Sequence, residues 1–281
     1  LEGSVKLDWR QIDEAVRVEP GKVAGLARRD PVSESLFTDK GEARKFVEER
    51  SAAIDALQDR LWAERSRALL VVLQGMDTSG KDGTVRAVFN ACGPIGVRVT
   101  AFGRPSEVDL AHDYLWRVHA AAPAKGTIGV FNRSHYEDVL VVRVRGLAPA
   151  AAIERRYDQI NAFEKHLAEN GTTILKFMLH ITKEEQAVRL QARLDDPAKH
   201  WKFNPADLED RALWKEYEEA YEAALTRCST VQAPWRIVPA DKKWRRNAIV
   251  AAIVHGVLEE MDPRYPGVSW KPEDFKLGIR D

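Results

Sequence analysis

Apolar positions recur along this chain in two rhythms. Leu69-Leu70-Val71-Val72-Leu73 is an unbroken apolar run, the mark of a parallel strand buried on both faces. Similar runs lie at Val97–Phe102, Ile128–Phe131, Thr173–Leu179 and Trp235–Val238. Between them apolar residues fall at helical spacing, which predicts helices at about 81–91, 106–121, 151–169, 182–194, 206–226 and 243–260. Upstream, Thr38 with Glu42 resembles a helix start. Phe46, Val47, Ile54, Leu57 and Leu61 then predict one long amphipathic helix reaching about Arg67. Residues 1–40 are mixed and polar, broken at Pro20-Gly21 and Pro31, and read as an arm with short helical pieces. Strand–helix alternation of this kind predicts an α/β fold, a five-stranded parallel sheet with helices on both faces. The expected organisation is an arm and long helix over 1–67 and a core over 68–281. A helical insertion over about 182–227 separates the fourth and fifth strands. The tail from Asp262, with three prolines, is expected to wrap the surface.

Composition narrows the class. The chain has 281 residues, 44% hydrophobic and 31% charged, which excludes a disordered or fibrous protein. Lys+Arg and Asp+Glu are both 43, so a whole-surface nucleic-acid binder is disfavoured, although local basic pockets remain open. No apolar run approaches the length of a membrane span, so no membrane association is expected. The start, Leu1-Glu2-Gly3-Ser4, lacks both a signal pattern and an initiator Met and reads as truncated or tagged. Cys92 and Cys228 are isolated thiols with no metal-binding spacing, which points to a reducing cytoplasm.

The strongest chemical signal is Gly75-Met76-Asp77-Thr78-Ser79-Gly80-Lys81. It fits GxxxxGK, follows the best strand and opens a helix. Its glycines let backbone N–H groups face inward. The helix N-terminus and Lys81 add positive charge, so the loop suits a chain of phosphates. Two features depart from the common form. Asp82 stands where Ser or Thr usually ligates Mg²⁺, and the loop carries its own carboxylate, Asp77. A carboxylate inside an anion-binding loop suggests a Mg²⁺ bridge or proton handling, the bland alternative being a turn cap. After the third strand comes Asn132-Arg133-Ser134-His135-Tyr136-Glu137. Asn132 can offer a carbonyl oxygen to Mg²⁺ or its water shell. Arg133 can bind two phosphate oxygens with its planar fork, or serve a structural ion pair. His135 reads more readily as a structural hydrogen-bonding residue than as a catalyst.

In the insertion, Arg189 and Arg193 are four apart and share a helix face. With Lys199, Lys202 and Arg211 they suggest a lid whose closure excludes water and meets phosphate charge. The alternative is a solvated face balanced by Asp195, Asp196, Glu209 and Asp210. Trp201 and Trp214 suit lid packing better than base stacking, and Phe102 is a more plausible neighbour for a base.

Together, Gly75–Thr84 (GMDTSGKDGT), Phe102–Glu107 (FGRPSE), Asp113–Arg117 (DYLWR) and Phe131–Val144 (FNRSHYEDVLVVRV) resemble polyphosphate kinase family 2. So do Asp196–Lys202 (DPAKHWK), Trp214–Tyr221 (WKEYEEAY) and Pro239–Asn247 (PADKKWRRN), and the likeness runs from about Ala43 onward. The resemblance implies a P-loop kinase fold with a helical lid and Mg²⁺ as cofactor. Its implied partners are inorganic polyphosphate and adenine nucleotides, and a homo-oligomer is left open. It implies catalytic roles for Asp77, Lys81, Arg133, Glu137 and Arg193. Polyphosphate falls to Gly75, Ser79, Gly80, Lys81, Asp82, Lys242 and Lys243. Nucleotide falls to Phe102, Arg104, Asn132, Arg133, Glu137, Arg189 and Arg193, and metal to Asp77 and Asn132. Where diphosphate-specific members read FDRSWYNR, this chain reads FNRSHYED, which looks like the class that phosphorylates both AMP and ADP. The alternatives are a diphosphate-only polyphosphate kinase, an ATP-dependent nucleoside monophosphate kinase, and a non-catalytic polyphosphate- or nucleotide-binding regulator.

Overall fold

The computed structural model describes residues 8–275. The chain runs α1 (Trp9–Val16), α2 (Lys40–Glu64), β1 (Ala68–Gln74), α3 (Lys81–Val88), β2 (Val97–Ala101), α4 (Glu107–Leu110) and α5 (Trp116–Ala121). It continues through β3 (Ile128–Asn132), α6 (Val141–Val144), α7 (Ala150–Glu169), β4 (Thr172–His180) and α8 (Lys183–Leu194). The last elements are α9 (Ala206–Ala212), α10 (Trp214–Arg227), β5 (Trp235–Pro239) and α11 (Lys243–Met261). The five strands form one parallel sheet in the order β2-β3-β1-β4-β5. The expected α/β fold with helices on both faces is therefore present. Helices α2, α3 and α11 pack as a layer on one face; α7 packs on β4, and α10 packs on α6 and the 3₁₀ turn that follows β3. Central strand β1 is buried along its whole length, as a run of branched apolar residues between two helix layers must be.

Three expectations are corrected. The second strand is not a fully buried run: β2 is an edge strand, and Arg98 and Val99 are exposed. The single helix expected at 106–121 is two short ones. The Asp113 carboxylate accepts from the Leu115 N–H at 3.0 Å, a side-chain turn that interrupts the helical ladder. The helix expected at 206–226 breaks at Leu213 because its halves face different surroundings. α9 buries nothing, whereas α10 buries Trp214, Tyr217, Ala220, Tyr221, Ala224 and Leu225. The part of the 182–227 insertion that stands over the phosphate loop is thus α8 through α9, and α10 belongs to the packed body. In the arm, α1 packs on α11, and a bridge between Arg17 and Arg236 covers the β5 edge. Trp9 lies so close to Gly256 that a Cβ there would come within 2.1 Å of its ring.

Register places the chemistry. Leu73 pairs with Asn132, and Ala101 pairs with Asn132 from the other side. The carboxyl ends of β1, β2 and β3 therefore release the Gly75 loop, the Phe102 loop and the Arg133 turn side by side, where open α/β sheets bind ligands.

Candidate active site

The Gly75–Lys81 loop is a turn between β1 and α3. Gly75 (φ +150°) and Gly80 (φ +103°) take conformations open to glycine, and a Cβ on Gly80 would lie 1.7 Å from Arg246 Nη1. Two arginines tie the loop's carbonyls from behind. Arg246 Nη1 donates to the Ser79 carbonyl at 3.0 Å. Arg189 donates to Thr78 and Ser79 carbonyls at 2.9 and 3.1 Å and to Ala240 and Asp241 carbonyls at 2.7 and 2.9 Å. Ser79 Oγ and Thr78 Oγ1 are buried with no protein partner. Lys81 Nζ donates to the Gly75 carbonyl at 2.7 Å. Burial first, and Arg133 next, pull the Lys81 ammonium down to about 8, against the carboxylates of Asp77, Glu137 and Asp82. The loop is a positively polarised cradle with an under-solvated charge at its end.

Across from it, Arg133 holds a left-handed backbone (φ +63°) and turns its guanidinium onto Asp77, with Nη2 to Oδ1 at 2.6 Å. Its Nη1 lies 3.6 Å from Glu137 Oε2. Burial opposes the Arg133 charge, but Glu137 and Asp77 outweigh it and hold the proton more firmly than usual. Burial raises the Glu137 carboxyl, while Arg133, Lys81 and the Gln74 amide pull it back. Asn132 Nδ2 donates to Asp82 Oδ1 at 2.5 Å.

A cavity of about 720 Å³ opens between loop and insertion. Its walls carry Asp77, Gly80, Lys81, Asp82, Phe102, Asn132, Arg133, Arg189, Arg193 and Lys243, so ten of the residues expected from sequence converge. The others sit elsewhere. Gly75 and Ser79 shape the loop from inside it. Glu137 lies behind Arg133 and off the cavity wall. Arg104 is exposed on the loop after β2, outside the cavity. Lys242 lines a second cavity of about 660 Å³ with Lys40, Arg44 and Arg86, and Lys243 lines both. Arg189 and Arg193 share a helix but not a task. All the Arg189 hydrogen bonds go to Glu185 and backbone carbonyls, whereas Arg193 Nη1 meets the Lys202 carbonyl at 2.9 Å and Asp207 at 3.3 Å. Phe102 packs edge-on against Phe131 at 4.9 Å. Trp214 is buried, but Trp201 is exposed and packs no core, contrary to its expected role.

Sequence reasoning missed Arg246 and Asp207. Arg246 sits in the PADKKWRRN segment three residues past the conspicuous lysine pair, but no local pattern says that it reaches the loop. Asp207 lines the cavity, and burial first and Asp77 next raise its carboxyl.

Loop, sheet order and overlying helices define a phosphotransferase of the P-loop kinase fold. The family described as Polyphosphate kinase 2 (PPK2) matches residues 37–266, and the chain belongs to this family. It is 52% identical over 251 residues to an AMP/ADP-polyphosphate phosphotransferase of Meiothermus ruber, covering 89% of this chain and 94% of that one. It is 38% identical over 262 residues to an ADP-polyphosphate phosphotransferase of Rhodopseudomonas palustris, covering 89% and 91%. The crystal structure of Polyphosphate Kinase 2 from Arthrobacter aurescens superposes with a TM-score of 0.91 at 42% identity, covering 97% of this chain and 96% of that one. The protein is an enzyme of polyphosphate-dependent nucleotide phosphotransfer. Among the described residues no helix is long and apolar enough to cross a membrane.

Proposed function

We propose that the protein moves phosphoryl groups from inorganic polyphosphate to both AMP and ADP, giving ADP and ATP. The observation that carries the donor is a pair of cavities with a net basic lining, which share Lys243 and Glu185. The main one contains the phosphate loop, and the second runs past Lys242, Arg86, Arg44 and Lys40. Basic residues outnumber acidic ones in both linings, although Glu48, Glu185 and Asp241 stand among them, so a linear polyanion longer than a triphosphate finds cations beyond the first cavity. The acceptor range is supported by the Meiothermus ruber relative, whose name covers both nucleotides.

The residues also fit Mg²⁺. Asp77 offers a hard anionic oxygen. The Asn132 amide nitrogen is committed to Asp82, which leaves its carbonyl oxygen as the ligand face. Among the described residues there is no cage of three or more His, Cys, Asp or Glu. That suits a small cation that keeps its waters and binds mainly through phosphate oxygens. When bound, Mg²⁺ supplies charge neutralisation between donor and acceptor phosphates.

The chain's own residues do the rest. Loop N–H groups and Lys81 hold the transferring phosphate. Arg133 and Arg193 hold the acceptor phosphate, and Asp77 fixes the direction of the Arg133 fork. Asp82, itself anionic, acts through Asn132 and not by direct contact with polyphosphate. An acceptor phosphate is already anionic near neutral pH, so positioning and charge neutralisation outweigh any need for a strong base. Glu137 influences acceptor depth through the guanidinium it flanks.

The test is incubation with Mg²⁺, long-chain polyphosphate and either AMP or ADP, with products separated by chromatography and ATP offered as a competing donor. Conversion of AMP through ADP to ATP is expected. Glu137→Asn is expected to suppress the AMP step more than the ADP step. Formation of ATP from ADP with no ADP from AMP refutes the acceptor range, and transfer from ATP alone refutes the donor.

A further inference from the structure

Strand β4 reads as an apolar run, yet a lysine stands in its middle. Lys176 is fully buried, and all three of its N–H donors are used. Nζ reaches Glu164 Oε2 at 2.6 Å, the Cys228 carbonyl at 2.6 Å and Tyr136 Oη at 2.8 Å. Glu164 on α7 is equally buried. Its Oε1 accepts from Tyr136 Oη at 2.8 Å and lies 3.1 Å from His135 Nε2. The rings of Tyr136 and Trp235 flank the ammonium, with centroids 5.2 and 5.1 Å away.

An ion pair at zero exposure carries a large desolvation cost, and apolar replacements of similar volume are often no less stable. Its place therefore calls for a reason beyond holding the fold. His135 and Tyr136 open the short 3₁₀ turn His135–Val139, which Ser134 caps one residue past Arg133 and which contains Glu137. The turn is held at its other end by Arg156, which donates to the Asp138 carbonyl at 2.8 Å, and at its start by Gln74 Nε2 to Ser134 Oγ at 3.0 Å. Arg133, in a left-handed conformation that non-glycine residues rarely adopt, hangs from this anchored turn. Strained backbone at a working position persists only where its surroundings over-determine it.

We infer that the buried Lys176–Glu164 pair, with Tyr136 and His135, is a positioning device for the acceptor side of the reaction, fixing the turn that aims Arg133 across the cleft at Asp77 and the acceptor phosphate. It touches no substrate. It acts through Arg133 and leaves the phosphate loop to its own braces, Arg246 and Arg189. This inference rests on the acceptor role proposed for Arg133.

The asymmetry between donor and acceptor makes it testable. In the double variant Lys176→Met/Glu164→Gln, which removes both charges at similar volume, the expected loss is tenfold or more in kcat/KM for AMP and ADP. Small misplacements of a positioning group can cost up to about a hundredfold. KM for polyphosphate is expected to stay within about twofold of wild type, with the melting temperature nearly unchanged. Tyr136→Phe removes one hydroxyl from the same network and should shift acceptor kinetics in the same direction; it carries the test if the double variant does not fold. Wild-type acceptor kinetics in a folded variant overturn the inference, as does a parallel loss for both substrates that tracks lost stability. The wild-type enzyme and Arg133→Ala are measured alongside. If Arg133→Ala leaves acceptor kinetics intact, the acceptor role of Arg133 fails; if it impairs them while Tyr136→Phe does nothing, only the positioning inference fails.

Discussion

Lys81→Met is expected to make the protein more stable and nearly inactive. The Lys81 ammonium is buried, and its pKa is drawn from 10.5 to about 8 by burial first and Arg133 second. In the unfolded chain the amine is hydrated and binds its proton more tightly. The charged form therefore penalises the fold in full below about pH 8, and the penalty fades as pH climbs from about 8 to 10.5. At about 1.4 kcal/mol per tenfold change in proton affinity, the penalty is roughly 3 kcal/mol. Methionine keeps the volume and removes the charge. The Met76 carbonyl keeps the Ser79 N–H at 3.0 Å, but the Gly75 carbonyl loses its lysine partner. That loss costs about 1–2 kcal/mol. The balance is a gain of about 1–2 kcal/mol near pH 7, or roughly 2–6 °C in melting temperature. Transfer activity should fall by about a hundredfold or more, as when one oxyanion-type donor is removed. Thermal melts from pH 7 to 10, paired with product chromatography, read both effects. The stability gain should shrink and then reverse as the wild-type lysine loses its proton. A lower melting temperature at pH 7, or a difference that ignores pH, refutes the electrostatic argument. Activity above about a tenth of wild type removes Lys81 from the phosphate path.

Asp77→Asn removes the anionic oxygen that Arg133 meets at 2.6 Å and should raise the Mg²⁺ concentration needed for half-maximal rate; an unchanged Mg²⁺ titration rejects the metal role. Gly80→Ala forces a left-handed side chain into the Arg246 guanidinium. Strain of about 1–2 kcal/mol and the disturbed Arg246–Ser79 bond, about 1.5–3 kcal/mol, should destabilise the protein by roughly 3 kcal/mol in denaturant titration. Near-wild-type stability would show that Arg246 moves aside freely. Arg193→Ala should lower turnover while shifting stability by no more than about 1 kcal/mol, since its pairing with Asp207 is partly solvated. A large loss of stability with normal turnover would make Arg193 structural.

How much of this was legible depends on the range of the signal. The phosphate loop could be read because its glycine spacing, preceding strand and following helix all lie within about twenty residues. Asn132 and Arg133 could be read because they end the neighbouring strand. The pairing of Leu73 with Asn132 merely completes that inference. Spacing was right in putting Arg189 and Arg193 on one face, since both line the cavity, but it went no further. Four residues apart puts two arginines on one face but says nothing of depth along the cleft, and one turn separates a brace on the loop from a group meeting Asp207. The buried network was invisible for a stronger reason. Lys176 and Glu164 are twelve residues apart, one inside an apolar run and the other on an ordinary amphipathic helix. Only the packing of α7 on β4 brings them together.

The two sides of the cleft are built on different principles, and each suits the substrate proposed for it. On the proposed donor side, Arg189 and Arg246 take the Thr78 and Ser79 carbonyls, while the Ser79 N–H is tied back to the Met76 carbonyl at 3.0 Å. The Lys81 charge is left short of solvent, and two hydroxyls, Thr78 Oγ1 and Ser79 Oγ, are left without protein partners. Such a site is unsatisfied by itself and is completed by any run of phosphates, so it need not discriminate among positions along a polymer. On the acceptor side, the Arg133 fork is already held by Asp77 and flanked by Glu137, on a turn pinned from below. That site is satisfied by itself, and an acceptor phosphate must compete with a carboxylate for the guanidinium. Competition of this kind weakens generic anion binding and favours a ligand that also makes other contacts, such as a nucleoside reaching the Phe102 wall. On the proposed assignment, one wall left hungry for negative charge suits a polymer donor, and the other, already supplied with it, suits a nucleotide acceptor that docks at one point.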